Sequence, residues 1–124
     1  MSNKVSSEHL FHNASGKMLS LADVVVEIRA YVEKHPESRY EVVIGSDSQA
    51  ALSGEALFVT AVVVRRIGNG GVYFWTRHSE KFYAMKDRIW KEALFSITLA
   101  QELRSLFKET FGEEMFCQRK FQFR

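Results

Sequence analysis

Two β-branched runs separated by a glycine-rich turn place the tightest constraint on how this chain folds. Residues 58–64 read Phe-Val-Thr-Ala-Val-Val-Val, residues 72–76 read Val-Tyr-Phe-Trp-Thr, and Asn69 and Gly70 lie between them. An Asn-Gly pair adopts the positive φ angles that a tight turn between antiparallel strands needs. The pattern therefore predicts a β-hairpin.

The rest of the chain supplies one more strand and two helices. Residues 40–46 are a short apolar run typical of a strand buried on both faces. Residues 20–23 resemble a capping box before a helical apolar pattern, and Pro36 ends that helix. Residues 83–110 contain neither Pro nor Gly, so they predict one long helix ending near Gly112. This order predicts an α/β fold with helices packed on one sheet.

Size and composition indicate one domain over residues 1–124, with an irregular lead-in (1–19) and an atypical tail (113–124). The net charge of +2 gives no strong general attraction for phosphates, so any contact with nucleic acid must be local. Cys117 is the single cysteine, and the first residues lack the apolar segment of a signal peptide. Both features predict a cytoplasmic location. No apolar run approaches the ~20 residues that a membrane helix needs.

Asp47 directly follows the predicted central strand, in the sequence Ile-Gly-Ser-Asp-Ser-Gln at residues 44–49. Because strand side chains alternate, Val43, Gly45 and Asp47 share one face, and Gly45 leaves room beside the carboxylate for a ligand or ion. The alternative interpretation is that Asp47 starts a turn by accepting hydrogen bonds from nearby backbone amides. The local pattern leaves both interpretations open.

Glu92 is the second acid of interest, because its angular position on the long helix lies within about 20° of Met85 and Leu103. A carboxylate on the sheet side needs a cation, a hydrogen-bond network or a raised pKa. The alternative is a rim position from which Glu92 pairs with Arg88 or reaches solvent. The apolar residues of the arc predicted to face the sheet are Met85, Ile89, Ala93, Ile97, Ala100, Leu103 and Phe107.

If both acids face the space between sheet and helix, they could hold a divalent metal such as Mg²⁺ through oxygen ligands. A two-metal site for phosphodiester cleavage generally needs more acids than this pair.

Several motifs occur in a fixed order along the chain: the segment at 44–49, the strand at 58–64, Gly70 and Gly71, then Arg88, Ile89, Glu92, Leu99, Ala100 and Leu103. Together they resemble the YkuK-type family of predicted ribonuclease H-like nucleases over residues 11–108. The resemblance implies a ribonuclease H-like fold, in which three antiparallel strands lead into a helix and later strands pair in parallel beside the first. It also implies that Asp47 and Glu92 are catalytic ligands of Mg²⁺ or Mn²⁺ and that RNA or DNA is the substrate.

The tail departs from the family pattern, in which a strand with a His-Ile-Asp-like sequence follows the long helix. After Glu114 this chain has no acidic side chain, although Phe121 and Phe123 alternate with polar residues as in a short strand. The fold is therefore expected to be truncated or altered after the long helix. The resemblance thus predicts a metal-dependent nuclease that cleaves phosphodiester bonds of RNA or DNA, while the missing late acids argue against activity of this chain alone. The alternative function is a non-catalytic nucleic-acid or protein interaction module with the same fold.

A nucleic-acid surface is predicted near the hairpin and the helix entry, where arginines and lysines accompany Tyr73 and Trp75. The alternative is that these residues are solvated strand ends and a packed aromatic face. Missing strands would also expose an edge of the first strand, which predicts a homodimer that covers this edge unless the tail docks there. The residues predicted to contact nucleic acid are Ser48, Gln49, Arg65, Arg77 and Lys86.

Overall fold

A computed structural model of the chain describes residues 10–51, 53–112 and 121–123. Within these residues a six-stranded sheet carries two helices on one face, in the strand order β2-β1-β5-β4-β3-β6. The elements in chain order are β1 (Phe11–His12), β2 (Met18–Leu19), α1 (Leu21–Lys34), β3 (Tyr40–Ala50), β4 (Glu55–Arg66), β5 (Gly71–Lys81), α2 (Met85–Phe111) and β6 (Phe121–Phe123).

The centre of the sheet is the antiparallel unit that the sequence predicts. Strand β4 pairs antiparallel with both β3 and β5, whereas β6 pairs in parallel with β3. The α/β fold and its antiparallel core of three strands are therefore confirmed. The prediction of three strands was incomplete, because short strands extend the sheet on both sides.

The β4–β5 hairpin depends on its glycines at the turn. Gly70 has a φ of 83°, which a residue with a side chain adopts only with strain. A Cβ atom at Gly71 would lie 2.8 Å from the carbonyl oxygen of Val64, so this close approach of the two strands needs glycine. Both strands are longer than the apolar runs that predicted them.

Helix α1 begins where the capping pattern places it. The Ser20 side chain accepts a hydrogen bond from the backbone N–H of Asp23 at 3.2 Å, and the helix ends at Lys34, just before Pro36. Its apolar side packs into the core. The buried residues of α1 are Leu21, Val24, Val25, Ile28 and Val32.

Helix α2 has the predicted length but only part of the predicted orientation. It ends at Gly112, whose backbone N–H donates to the Lys108 carbonyl at 2.9 Å. Leu103 and Phe107 are buried, as expected, together with Leu99. The prediction was wrong for Met85, Ile89, Ala93 and Ile97, which are exposed. For Ile89, Ala93 and Ile97 the reason is that the first half of α2 covers a polar part of β3, so the side with Glu92 and Ser96 turns inward. Met85 shares the angular position of Glu92 but lies in the first turn of the helix.

The lead-in contains two strands where irregular structure was expected, and the tail contains the short strand that the alternation of Phe121 and Phe123 indicated. β1 and β2 form a small antiparallel pair, and His12 of β1 pairs with Trp75 of β5. At the other edge, β6 pairs with β3 from Tyr40↔Phe121 to Val42↔Phe123, so this part of the tail docks beside the first strand. The rest of the lead-in (1–9) and of the tail (113–120 and 124) lies outside the described residues. In the described part of the chain, no helix combines the length and apolar character needed to cross a membrane.

Candidate functional site

Strand β3 presents two chemically different sides at its carboxyl-terminal half. Its pairing with β4 runs without a break from Tyr40↔Arg66 to Ala50↔Ala56, so its side chains alternate along its whole length. Ser48 points towards α2, where it contacts Glu92. Asp47 therefore points to the opposite side, called here the open face, because α1 and α2 both pack on the other, covered face.

Asp47 lies within β3 rather than at a turn. The strand continues to Ala50, three residues beyond Asp47. The Asp47 carboxylate is exposed, and its Oδ1 accepts a hydrogen bond from the Ser48 N–H at 2.9 Å. The neighbouring Gly45 leaves open space, since a Cβ atom there would meet no other atom within 4 Å. The carboxylate is therefore accessible on an open surface.

On the covered face, Ser48 connects β3 to two charged residues of α2. Its hydroxyl donates to Glu92 Oε2 and accepts from Arg88 Nε at 3.1 Å. Arg88 also donates to the Ser48 carbonyl at 3.0 Å, and its guanidinium carbon lies 5.4 Å from the centroid of the Phe82 ring. Glu92 thus lies on the sheet side of α2, as its angular position predicted. This Ser48–Glu92–Arg88 cluster satisfies the partly buried carboxylate through hydrogen bonds.

A second set of hydroxyl groups continues the polar contact one turn along α2. Ser96 donates to Ser46 Oγ at 2.8 Å, and Ser46 lies 2.9 Å from the hydroxyl of the buried Thr60. These contacts explain why the polar side of α2 faces the sheet over this stretch: buried hydroxyls need partners, and α2 supplies them. The helical position of Ser96, one turn along from Glu92, already placed it on the sheet side, whereas its strand partners Ser46 and Thr60 were not predicted.

The two predicted metal ligands do not converge. Asp47 lies on the open face, whereas Glu92 contacts Ser48 on the covered face. The backbone of β3 separates them, so this arrangement does not fit a single ion that both carboxylates hold. Among the described residues, no group of three or more His, Cys, Asp or Glu side chains is placed to hold a metal ion. Their assignment as catalytic metal ligands remains a prediction.

The open face carries an aromatic and cationic group along β5. Tyr73, Trp75 and Arg77 alternate with inward-facing residues, and the Arg77 guanidinium carbon lies 5.8 Å from the Trp75 ring centroid. His12 stacks on the same indole, with ring centroids 4.3 Å apart and an angle of 18° between the planes. No sequence signal indicated His12, because it meets Trp75 through strand pairing between distant parts of the chain.

Strand register arranges these residues in rows across the open face. One row contains Gly45, Ala61 and Trp75, so two small residues form a shallow floor beside the indole. The adjacent row contains Asp47, Val59 and Arg77, which places the exposed carboxylate and the guanidinium on the same surface with one valine between them.

The structure places the residues predicted to contact nucleic acid on different sides of the sheet. Gln49, Arg65 and Arg77 are exposed on the open face, so they share one surface. Ser48 is on the covered face in contact with α2. Lys86 is exposed on α2, which packs on the side of the sheet away from the open face.

Two comparisons with known proteins give matches. Residues 23–121 match the sequence model of the family described as Ribonuclease H-like. The chain is also 29% identical over 94 residues to the uncharacterized protein YkuK of Bacillus subtilis (strain 168), a match that covers 74% of this chain and 54% of that relative. The chain therefore spans about half the length of this curated relative. No solved structure matches.

Proposed function

Because this chain belongs to the ribonuclease H-like family, we propose that it binds single-stranded nucleic acid across the open face of its sheet. The observation that carries the proposal is the arrangement of Tyr73, Trp75 and Arg77 on one exposed side of β5. Bases stack on exposed aromatic rings without regard to sequence, and arginine side chains bind phosphate oxygens.

Tyr73 is the residue best placed to stack on a base. Its side chain is 48% exposed, whereas the Trp75 ring already contacts His12 and Arg77. The Trp75 ring is therefore held in position by its neighbours, and the Tyr73 ring beside it is accessible. We call these two rings the platform. The small residues Gly45 and Ala61 leave a shallow floor on which a second base could lie.

Arginines flank the platform at both ends. Arg65 lies two residues beyond the row of Val63 and Tyr73, and Arg77 lies in the row of Val59. These rows are six positions apart along β4, which corresponds to about 20 Å along an extended strand. A single strand of several nucleotides could therefore contact one guanidinium near each end.

Binding can be measured by fluorescence anisotropy with labelled single-stranded RNA, single-stranded DNA and duplexes at several salt concentrations. We expect Tyr73→Ala to weaken single-strand binding roughly 5- to 150-fold, because a base–aromatic stack contributes about 1–3 kcal/mol. Arg65→Gln should reduce the slope of the logarithm of the binding constant against the logarithm of the salt concentration by about one, because one phosphate contact is lost. The matched control is Arg29→Gln, which removes an exposed arginine paired with Glu33 on α1. Equal losses in Tyr73→Ala and Arg29→Gln would contradict the proposal.

Metal-dependent cleavage of RNA or DNA is a second candidate function, favoured by the exposure of Asp47 in the same row as Arg77. Mg²⁺ is often bound through only one or two protein carboxylates together with water and substrate phosphate. One exposed Asp beside a bound phosphate could therefore hold the ion. Incubation with RNA and DNA in Mg²⁺, Mn²⁺ or EDTA tests it. Asp47→Asn should abolish cleavage, whereas Glu92→Gln should retain most of it because Glu92 contacts Ser48 on the other face. Metal-dependent products from Asp47→Asn would exclude this role.

A further inference from the structure

The first half of α2 exposes a row of apolar side chains that the fold does not use. We call Met85, Ile89, Trp90, Ala93 and Ile97 the outer stripe. Met85, Ile89, Trp90 and Ile97 are 60%, 59%, 68% and 57% exposed, and Tyr83, just before the helix, is 94% exposed. Contiguous apolar surface of this kind marks interaction sites more often than chance.

The outer stripe also has a concave shape. Ala84, Ile89, Trp90 and Ala93 line a depression of about 560 Å³, with Lys86 and Asp87 at its border. Because the side chain of Ala93 is small, it leaves space open beside the large indole of Trp90. A neighbouring helix could therefore place a bulky side chain there.

We propose that two copies of this chain associate through the outer stripe, with their α2 helices antiparallel and a two-fold axis near Ala93. The stripe is close to symmetric about Ala93, since an isoleucine lies four residues away on each side. Ile89 of one copy then meets Ile97 of the other, and the two Ala93 residues meet at the crossing point. A two-fold interface requires this kind of self-complementary surface.

The charges at the outer stripe agree with a second copy as its partner. The charged residues at the depression are Lys86 and Asp87, which have opposite signs. In the antiparallel arrangement Lys86 lies opposite Ala100 of the second copy, so like charges do not meet there. Antiparallel helices also place their dipoles in opposite directions, which favours the pair.

The exposed area is sufficient for a specific dimer. Buried aromatic side chains each remove 150–250 Å² from water, so Trp90 and Tyr83 offer about 250–400 Å² at their observed exposure. If the exposed parts of Met85, Ile89 and Ile97, each more than half exposed, are covered as well, two copies would bury up to roughly 1,000–1,400 Å² in total. This area is within the range of small but specific interfaces.

The proposal does not depend on the nucleic-acid function, because the outer stripe belongs to α2, which packs on the covered face of the sheet. It also differs from the predicted dimer through the edge of β3, part of which is paired with β6. A dimer through α2 leaves both the open face and the remaining β3 edge exposed.

Cross-linking tests the position of the two-fold axis. In a Cys117→Ser background, Ala93→Cys should form a disulfide-linked dimer under mild oxidation, because the two residues meet at the axis. Glu33→Cys, an exposed position on α1, is the control and should stay largely monomeric under the same conditions. Equal cross-linking of the two cysteine variants would overturn the proposal.

Sedimentation of the full chain over a range of concentrations tests the association itself. Ile97→Glu should raise the dissociation constant of the dimer by about tenfold or more, since each dimer loses two buried side chains. Val26→Glu makes the same kind of change at a 63% exposed position on α1 and should leave the constant unchanged. Circular dichroism confirms that both variants fold. A wild-type monomer at all concentrations, or a dimer that Ile97→Glu does not weaken, would overturn the proposal.

Discussion

The two faces of the sheet have similar sequences and different environments. Val62 and Phe74 on the covered face are almost completely buried, whereas their chain neighbours Val63 and Tyr73 on the open face are 37% and 48% exposed. Both faces are rich in β-branched and aromatic residues, so strand propensity does not distinguish them. The helices distinguish the two faces, because α1 and α2 pack on one side only. The covered face therefore holds the fold together, and the open face is available for binding.

The largest expected contrast is at neighbouring positions of β5. Phe74→Ala should lower the free energy of unfolding by about 3–5 kcal/mol, because it leaves a cavity in the core. Tyr73→Ala should lower it by less than about 1 kcal/mol, because the ring is half exposed. Urea unfolding of both variants measures the difference. Similar losses would mean that the open face is covered in solution.

A smaller contrast is expected within β4, where the same substitution can be made on each face. Val62→Ala removes two buried methyl groups and should cost about 2 kcal/mol. Val63→Ala should cost about 0.5 kcal/mol. Thermal and urea unfolding of the two variants provide the comparison, with the wild type as reference. A reversed order would show that the faces are assigned incorrectly.

The polar end of β3 gives a third contrast. Ser48→Ala removes the hydroxyl that contacts both Glu92 and Arg88, so it should cost about 1–3 kcal/mol. Gln49→Ala, on the open face, should change stability by no more than about 0.5 kcal/mol. Urea midpoints at constant pH distinguish the two outcomes. Equal stability of Ser48→Ala and Gln49→Ala would remove the structural role of the Ser48–Glu92–Arg88 cluster.

The smallest effect concerns Tyr40 on the covered face, whose hydroxyl donates to the His35 carbonyl at 2.7 Å. Burial, and then the neighbouring Tyr31, raise the pKa of Tyr40 above its usual value of 10.0, against an opposing effect of Arg66. The native state therefore holds this proton more tightly than the unfolded chain does. Its stabilising contribution is full below pH 10 and is lost as the pH rises through the higher folded-state pKa.

Tyr40→Phe provides the measurement for this effect. It should cost about 1 kcal/mol at neutral pH through the lost hydrogen bond, and it should flatten the fall in stability at alkaline pH. Unfolding experiments on wild type and Tyr40→Phe between neutral and alkaline pH test both expectations. An unchanged alkaline profile would show that other groups cause the fall.

Much of the fold follows from local sequence signals. The Asn69–Gly70 turn, the Ser20 cap and the Gly112 stop mark the hairpin and both helices at positions close to the observed ones. The strands β1 and β2 were not predicted, because each has only two residues and β1 joins the sheet through pairing with the distant β5, whereas the alternation of Phe121 and Phe123 indicated β6. Strands as short as β1 and β2 carry too little periodicity to be recognised.

The candidate site was predicted less completely than the fold. Alternation correctly placed Asp47 with Val43 and Gly45, and helical geometry correctly placed Glu92 on the sheet side of α2. The patterns did not determine whether the two acids face the same space, because each pattern defines faces within its own element. Neither pattern states which face of β3 the helix covers.

By itself, the sequence determined the local elements of this protein, because turns, caps and side-chain alternation depend on residues that are close along the chain. Only the tertiary structure decided that α2 lies over Ser46 and Ser48 and leaves Asp47 on the open face. The physical reason is that both faces of the sheet are apolar enough to be buried. The choice depends on the combined packing of α1 and α2 and on the hydroxyl and carboxylate groups that need partners beneath them.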